Sequence, residues 1–500
     1  MQASGSNLQK QSISAVKWSA IGTTTRYVLQ LGAQVVLARL LGPDNYGLFA
    51  MGLLVMTLTS FIADCGLAWG LVQQPEVTDE TIRFTFTWQF ITGSLATILL
   101  FTFSGEIAGY FREARAEPII RWLSLACVIS SATTPATNLL RRQLDFKWIN
   151  IVQVASYVVG YIGVGIPVAL SGGGALSLVA AWLVQAACAL VMTYWRCRHS
   201  LRPLLWFQGA LDLGKVGGAV VGTNLCNWLL TNLDRTIMAR YLSAYAVGNY
   251  AAGYNLANIP NNLFISALQP AFLAAGARLQ DDVARLKEAY LSILATIWVL
   301  IAPLFTLLAV LAPDVILTIY GDKWTQAGAV LRVLALAMPA YISWAMSTPV
   351  LWNTGKKQWE SLLQLPVILV SAVLLYRYAS AGPLTVAVIA AFVFHLRAAV
   401  MITAACTRAA IRIGDLAPYI LRSFLICALS GVSAALVANL LHPTGMLPVV
   451  RTVIAGSAGL AAIALLVRLA PNVLGDRVKS MLSRFIPRMR SAAPPVSVVG

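Results

Sequence analysis

Apolar runs long enough to cross a lipid bilayer recur from one end of this chain to the other, and they decide its architecture. A helical crossing takes roughly 20 residues, and about fourteen segments qualify: 14–38, 46–72, 84–104, 118–140, 149–170, 175–195, 216–239, 246–274, 288–311, 326–352, 358–376, 383–405, 418–440 and 450–470. They are too long for membrane strands, and they do not alternate. Backbone groups in lipid must be satisfied within the segment, which only a helix does. Charged residues are 11% of the chain and mean hydropathy is +0.74, against about 25% charge in soluble domains. The expected fold is all-α, a polytopic membrane protein.

The net charge of +17 is a matter of topology rather than of nucleic-acid binding. With the N-terminus in the cytoplasm, alternating spans leave only Arg39, Arg112, Arg115, Arg240, Lys323, Arg377 and Arg451 on the outer side. The inner connectors and tail receive most of the rest, including Arg141, Arg142, Arg196, Arg198, Arg202, Lys356 and Lys357. This is the positive-inside distribution, and it places both termini in the cytoplasm. The first apolar run carries Arg26, Gln30 and Gln34, unlike the plain apolar core of a signal peptide. The seven cysteines show no metal-ligand spacing and read as small hydrophobes or free thiols.

A short motif repeats. LARLLGPDNYGLFAMG at 37–52 returns as ARYLSAYAVGNYAAG at 239–253. At an offset of 201 residues, Ala38, Arg39, Leu41, Gly47, Ala50 and Gly52 fall on Ala239, Arg240, Leu242, Gly248, Ala251 and Gly253 without a gap. The basic connector 196–215 also divides the chain near its middle. The reading is two six-helix lobes in parallel repeat, 1–195 and 216–410, joined by a cytoplasmic linker 196–215. Two additional helices (411–470) and a basic cytoplasmic tail (471–500) follow.

Polar residues within the spans fall in stripes. Thr23, Arg26, Tyr27, Gln30 and Gln34 share one face of span one. At the same offset, span seven carries Asn224, Asn227, Trp228, Thr231 and Arg235. Span eight adds Asn255, Asn258 and Asn262, with prolines at 260 and 270. Intramembrane charge is expensive and usually faces a cavity, which singles out Arg26 first and Arg235 second. Asp64 is a candidate for ion coupling. His395 and Arg397, two residues apart, point to different faces of span twelve. Arg121 and Arg332 read as anchors near span ends.

Residues 209–215, GALDLGK, imitate a phosphate-binding loop. Val216 stands where Ser or Thr would hold magnesium, and no strand precedes. Nucleotide binding is excluded, and with it a self-contained ATP-driven pump. No nucleophile triad or paired acids assemble on the outer connectors, so an enzyme is not expected.

The blocks ARLLGPDNYGLFAM, FIADCGLAWGLVQQPEVTDE, LLRRQLDFKWINIVQV, NLDRTIMARYL, AVGNYAAGYNLANIP and GDKWTQAGAVLRVLALA together resemble the polysaccharide exporter (Wzx-type flippase) family, within the superfamily of multidrug extruders and lipid-linked oligosaccharide flippases. The resemblance covers roughly residues 12–410 and implies two lobes around a central cavity that opens alternately to either side. It implies an undecaprenyl-diphosphate-linked oligosaccharide as substrate in the bacterial cytoplasmic (inner) membrane. It also implies membrane lipids, a polysaccharide polymerase and export machinery as partners, and no cofactor or metal. On that reading Arg26 and Arg235 meet the diphosphate. Gln30, Gln34, Asn224, Asn227, Asn255, Asn258 and Asn262 meet sugar hydroxyls, and Tyr27 and Trp228 form an aromatic gate. The alternatives are a multidrug or cation extruder of the same superfamily, and a surface-polysaccharide polymerase or ligase.

Overall fold

The structure, a computed structural model, describes residues 2–64, 66–68, 71, 74, 76–208, 210–277, 282–355 and 357–483. The side chains of Thr23, Tyr27, Asp64 and Asn224 lie outside the described residues. Every regular element among the described residues is helical. Helix α1 runs Gln2–Asp64 and breaks at Gly42, whose φ of 71° interrupts its helical geometry. Glycine takes that conformation without a Cβ penalty. Pro43 then opens the second half, where its missing N–H costs nothing. There follow α2 (Asp79–Thr102), α3 (Ser104–Phe111), α4 (Ala116–Arg142), α5 (Phe146–Leu170), α6 (Leu176–Arg196), α7 (Ala210–Tyr241) and α8 (Ala244–Ala277). The chain continues through α9 (Val283–Val310), α10 (Ala312–Ile319), α11 (Thr325–Asn353) and α12 (Lys357–Tyr378). It ends with α13 (Pro383–Arg408), α14 (Ala417–Leu441), α15 (Pro448–Leu469) and α16 (Gly475–Ser483).

Side chains cap the helices at the water boundary. The hydroxyl of Thr78 accepts from the Thr81 N–H at 3.2 Å, Asp145 from Trp148 at 3.1 Å and Asp282 from Arg285 at 3.0 Å. Each fills one of the donors a helix start leaves open. Ten helices among the described residues are long and apolar enough to span a membrane. The expected segments 14–38, 46–72, 216–239 and 246–274 are not among those ten. They fall on the two halves of α1 and on α7 and α8. GALDLGK enters α7 at Ala210, so Leu211–Lys215 form helix rather than a phosphate-binding loop.

The chain divides into two compact units, Met1–Gly248 and Asn249–Gly500. In the first, the connector that follows α6 is strapped along α2. The Arg202 carbonyl accepts from Arg83 at 3.1 Å, the Leu205 carbonyl from the Trp88 indole at 3.1 Å, and Leu204 N–H donates to Thr87 at 2.9 Å. Where the α1 break meets the start of α8, Gly47 abuts the Ala244 carbonyl and Gly248 abuts that of Pro43.

In the second unit, α14, α15 and α16 are integral to the core. Tyr419, Ile426, Leu474 and Val478 pack with Ala295 and Val299 of α9. Lipid tails are as apolar as leucine, so close packing and polar contacts hold such helices together. Gly459 accordingly meets Leu307 and the Ser430 carbonyl with no room for a Cβ. Arg451 of α15 pairs with Asp314 of α10, its Nε 2.6 Å from Oδ2, and both residues are buried.

Candidate functional site

In the first unit the span-one stripe is tied to α5. Arg26 donates from Nη1 to Oε1 of Gln153 at 3.0 Å. One turn further on, the Tyr157 hydroxyl donates to the Gln30 carbonyl at 3.4 Å. Both pairs join residues 127 apart, so one helical face of α1 runs along one face of α5. Tyr157 stacks on Tyr161 with centroids 4.5 Å apart, which stiffens that wall. The Gln30 side chain is exposed and that of Gln34 half-buried.

On α7 the predicted residues behave differently from one another. Asn227 is exposed. Trp228 is buried, and its indole N–H donates to Thr57 on α1 at 3.1 Å. Arg235 donates from Nη2 to the Thr231 carbonyl at 3.3 Å, and its backbone N–H donates to Asp234 at 2.8 Å. Asn224, Tyr27 and Asp64 lie outside the described side chains. In the second unit Asn255 and Asn258 are half-buried and Asn262 is exposed. Fully buried Asn261 donates to the Asn258 side chain at 2.8 Å.

Several polar residues were absent from the sequence-based set. Gln153 and Tyr157 are the partners of the Arg26 stripe. On α4, Ser130, Thr133, Thr134, Thr137 and Asn138 line a cavity of about 240 Å³ that ends at Arg141, and Ser130, Ser131 and Thr134 line a neighbouring one of about 260 Å³ with Thr57 and Ser60. The run SSATTPATN within an apolar span was the available signal. Its hydroxyls also donate back to their own helix, as Thr134 does to the Ser130 carbonyl at 2.8 Å, which lets them sit in an apolar span at little cost. Outside the spans, two hydrogen bonds from Arg115, at 2.8 and 2.9 Å, hold the Glu113 carboxyl below its ordinary pKa. His199, in the connector after α6, titrates below its ordinary value because it is buried. Among the described residues no group of acids, histidines and cysteines is arranged to hold a metal ion.

The chain has recognisable relatives. Residues 36–329 match the family described as "Polysaccharide biosynthesis protein". The chain is 26% identical over 336 residues to the lipopolysaccharide biosynthesis protein WzxC of Escherichia coli K12, covering 66% of this chain and 67% of that one. It is 26% identical over 341 residues to the succinoglycan biosynthesis transport protein ExoT of Rhizobium meliloti 1021, covering 68% and 69%. Its fold is similar to that of lipid II flippase MurJ in an inward closed conformation, with a TM-score of 0.71 at 14% identity over 90% of this chain and 98% of that one. With an all-helical, multi-pass membrane architecture and a family match over most of its length, the chain belongs to the polysaccharide biosynthesis protein family of Wzx-type exporters.

Proposed function

We propose that this protein carries an oligosaccharide repeat unit, linked to undecaprenyl diphosphate, from the inner to the outer leaflet of the bacterial cytoplasmic membrane by alternating access. The cargo then serves exopolysaccharide or lipopolysaccharide assembly, and a polymerase and export machinery take it onward. The observation that carries this reading is Arg26. A guanidinium within an apolar span costs several kcal/mol and usually faces a cavity or a polar partner. Its Nη1 donates to the neutral amide of Gln153 on α5, which orients a guanidinium suited to an anionic group. Charge-assisted bonds to a diphosphate are strong in such a setting.

The remaining parts follow from that assignment. Arg235 is the second cation, and Gln30, Gln34, Asn224, Asn227, Asn255, Asn258 and Asn262 offer neutral donors and acceptors to sugars. Tyr27 and Trp228 form the aromatic element, and Asp64 couples an ion. The moving parts are two six-helix lobes, 1–195 and 216–410, within about fourteen spans and with both termini cytoplasmic. Gly52 seats on α4 and Gly253 on α11, positions 201 residues apart on helices six spans apart, which supports the repeat. Translocation makes and breaks no covalent bond, so no catalytic group is required.

The test is the leaflet location of the intermediate in a deletion strain. Lipid-linked repeat units should accumulate on the cytoplasmic leaflet. Normal surface polysaccharide would overturn the proposal, and accumulation on the outer leaflet would assign the protein to polymerisation or ligation instead.

A further inference from the structure

Arg397 stands mid-way along α13 and is 2% exposed. None of its three guanidinium nitrogens has a hydrogen-bond partner. The group stays charged at any physiological pH, and burying it uncompensated is among the costliest things a membrane helix does. Its Cζ lies over the ring of Trp344 on α11, 3.3 Å from the ring centre. Such a contact engages the face of a guanidinium and not its edges, where all the N–H groups lie. Trp344 is braced by Tyr341, edge-on at 5.0 Å, which also meets Phe394 at 5.2 Å. The Trp344 indole nitrogen is likewise buried and without a partner.

Glu360 on α12 is the carboxylate that acts on Arg397 electrostatically, with Tyr341 and Tyr254 as the other nearby groups. Its oxygens are engaged elsewhere. Oε2 accepts from the Trp352 indole at 2.8 Å and Oε1 from Thr348 at 3.4 Å. Glu360 therefore offsets charge at a distance and leaves every donor of Arg397 open. A buried cation whose N–H groups have no partner, lying over a ring whose own N–H has none, carries the donors that an anion with several oxygens requires.

We propose that Arg397 and Trp344 form an anion-binding site inside the second unit, and that it takes a phosphate-class group. The group has two possible sources, the diphosphate of a prenyl-linked lipid or a free inorganic phosphate. Only the first rests on the flippase reading. Arg397 supplies the bidentate bonds, and the Trp344 face sets their plane.

The experiment follows thermal unfolding of the purified full-length chain in detergent as inorganic pyrophosphate, farnesyl diphosphate or farnesol is added. Pyrophosphate and farnesyl diphosphate should raise the midpoint of the wild type, and farnesol should not. Arg397→Gln should lose at least about tenfold in apparent affinity. Arg397→Lys should retain weak binding, and Glu360→Gln should bind more tightly because a competing negative charge is gone. Tighter binding of the prenyl form than of pyrophosphate identifies the lipid as the source, and equal binding identifies free phosphate. An unchanged affinity in Arg397→Gln, or no stabilisation of the wild type, overturns the site. Should Arg397→Gln fail to fold, Trp344→Phe decides, since it keeps the stack and removes the N–H, and undiminished binding there would also overturn the site. Arg397-dependent binding together with normal surface polysaccharide in the deletion strain would sink the flippase reading alone. The reverse pair of results would sink this site alone.

Discussion

Gly47 and Gly248 make one contact twice. Gly47 presses on the carbonyl of Ala244, Gly248 presses on the carbonyl of Pro43, and each member of one pair lies 201 residues from its counterpart in the other. The sequence repeat is thus a local two-fold relation between backbone segments, made where glycine lets them approach within the space of a side chain. A methyl group at either position would overlap the facing carbonyl.

Gly47→Ala and Gly248→Ala should therefore destabilise the protein by similar amounts, of the order of 1–3 kcal/mol as for other overpacked sites. Gly32→Ala is the control. It has nothing within 4 Å, and exchanging an exposed helical glycine for alanine is neutral or slightly stabilising. Unfolding midpoints in detergent give the comparison, and a silent Gly248→Ala would show that the reciprocal contact is not tight.

Arg26→Ala should abolish export of surface polysaccharide while membrane insertion stays normal. Gln153→Ala removes the acceptor that orients Arg26 at 3.0 Å. Hydrogen bonds to charged groups contribute about 1.5–3 kcal/mol, so export in that variant should fall by roughly tenfold rather than vanish. Complementation of a deletion strain, with protein levels checked by immunoblot, measures both. Full export by Arg26→Ala would remove it from the substrate path.

Much of this was legible in the sequence, and the limits have physical causes. Apolar run length found the ten helices among the described residues that are long and apolar enough to span a membrane, because lipid imposes the same length on every crossing. The Gly47 and Gly248 pair was readable as a repeat, since a close backbone approach tolerates no other residue. Trp228 illustrates the limit. Its position on a polar stripe was evident, but burial against α1 and the bond to Thr57 depend on a helix far away in sequence. Arg397 was visible as a charged residue of span twelve, but its place over Trp344, like the pairing of Asp314 with Arg451, was not. Their character comes from Trp344 and Arg451, neighbours supplied by tertiary packing, and span periodicity says nothing of which helices meet.

The Glu113 pair gives a pH prediction. Arg115 bonds both Glu113 oxygens and also bonds Asp44 at 2.6 Å, joining the connector after α3 to the second half of α1. Those bonds lower the Glu113 pKa below its ordinary 4.5. A folded-state value below the unfolded one means a contribution present in full above pH 4.5 and lost as pH falls through the folded value. Stability should decline on acidification in that window, and Glu113→Gln should flatten the decline. Unfolding midpoints between about pH 3 and 6 check this, and an identical acid limb in the variant would contradict it.

The ion pair between Arg451 and Asp314 ties α15 to α10, and both residues are only 8% exposed. Breaking such a pair from one side strands a buried charge, which costs about 3–5 kcal/mol, whereas replacing both partners with apolar residues is often near neutral. Arg451→Met should therefore lower the unfolding midpoint sharply. The double variant Arg451→Met with Asp314→Leu should recover most of the loss, because nothing charged is then left in the packed interior. The ordering matters more than the size. A double variant as unstable as the single one would mean that the pair stabilises the α10–α15 contact by its own attraction, beyond merely satisfying two buried charges. Export activity of the double variant adds a second reading. If α14 and α15 serve only as part of the second unit's body, export should track stability across the three proteins. Export lost in a stable double variant would assign these last helices a direct part in transport.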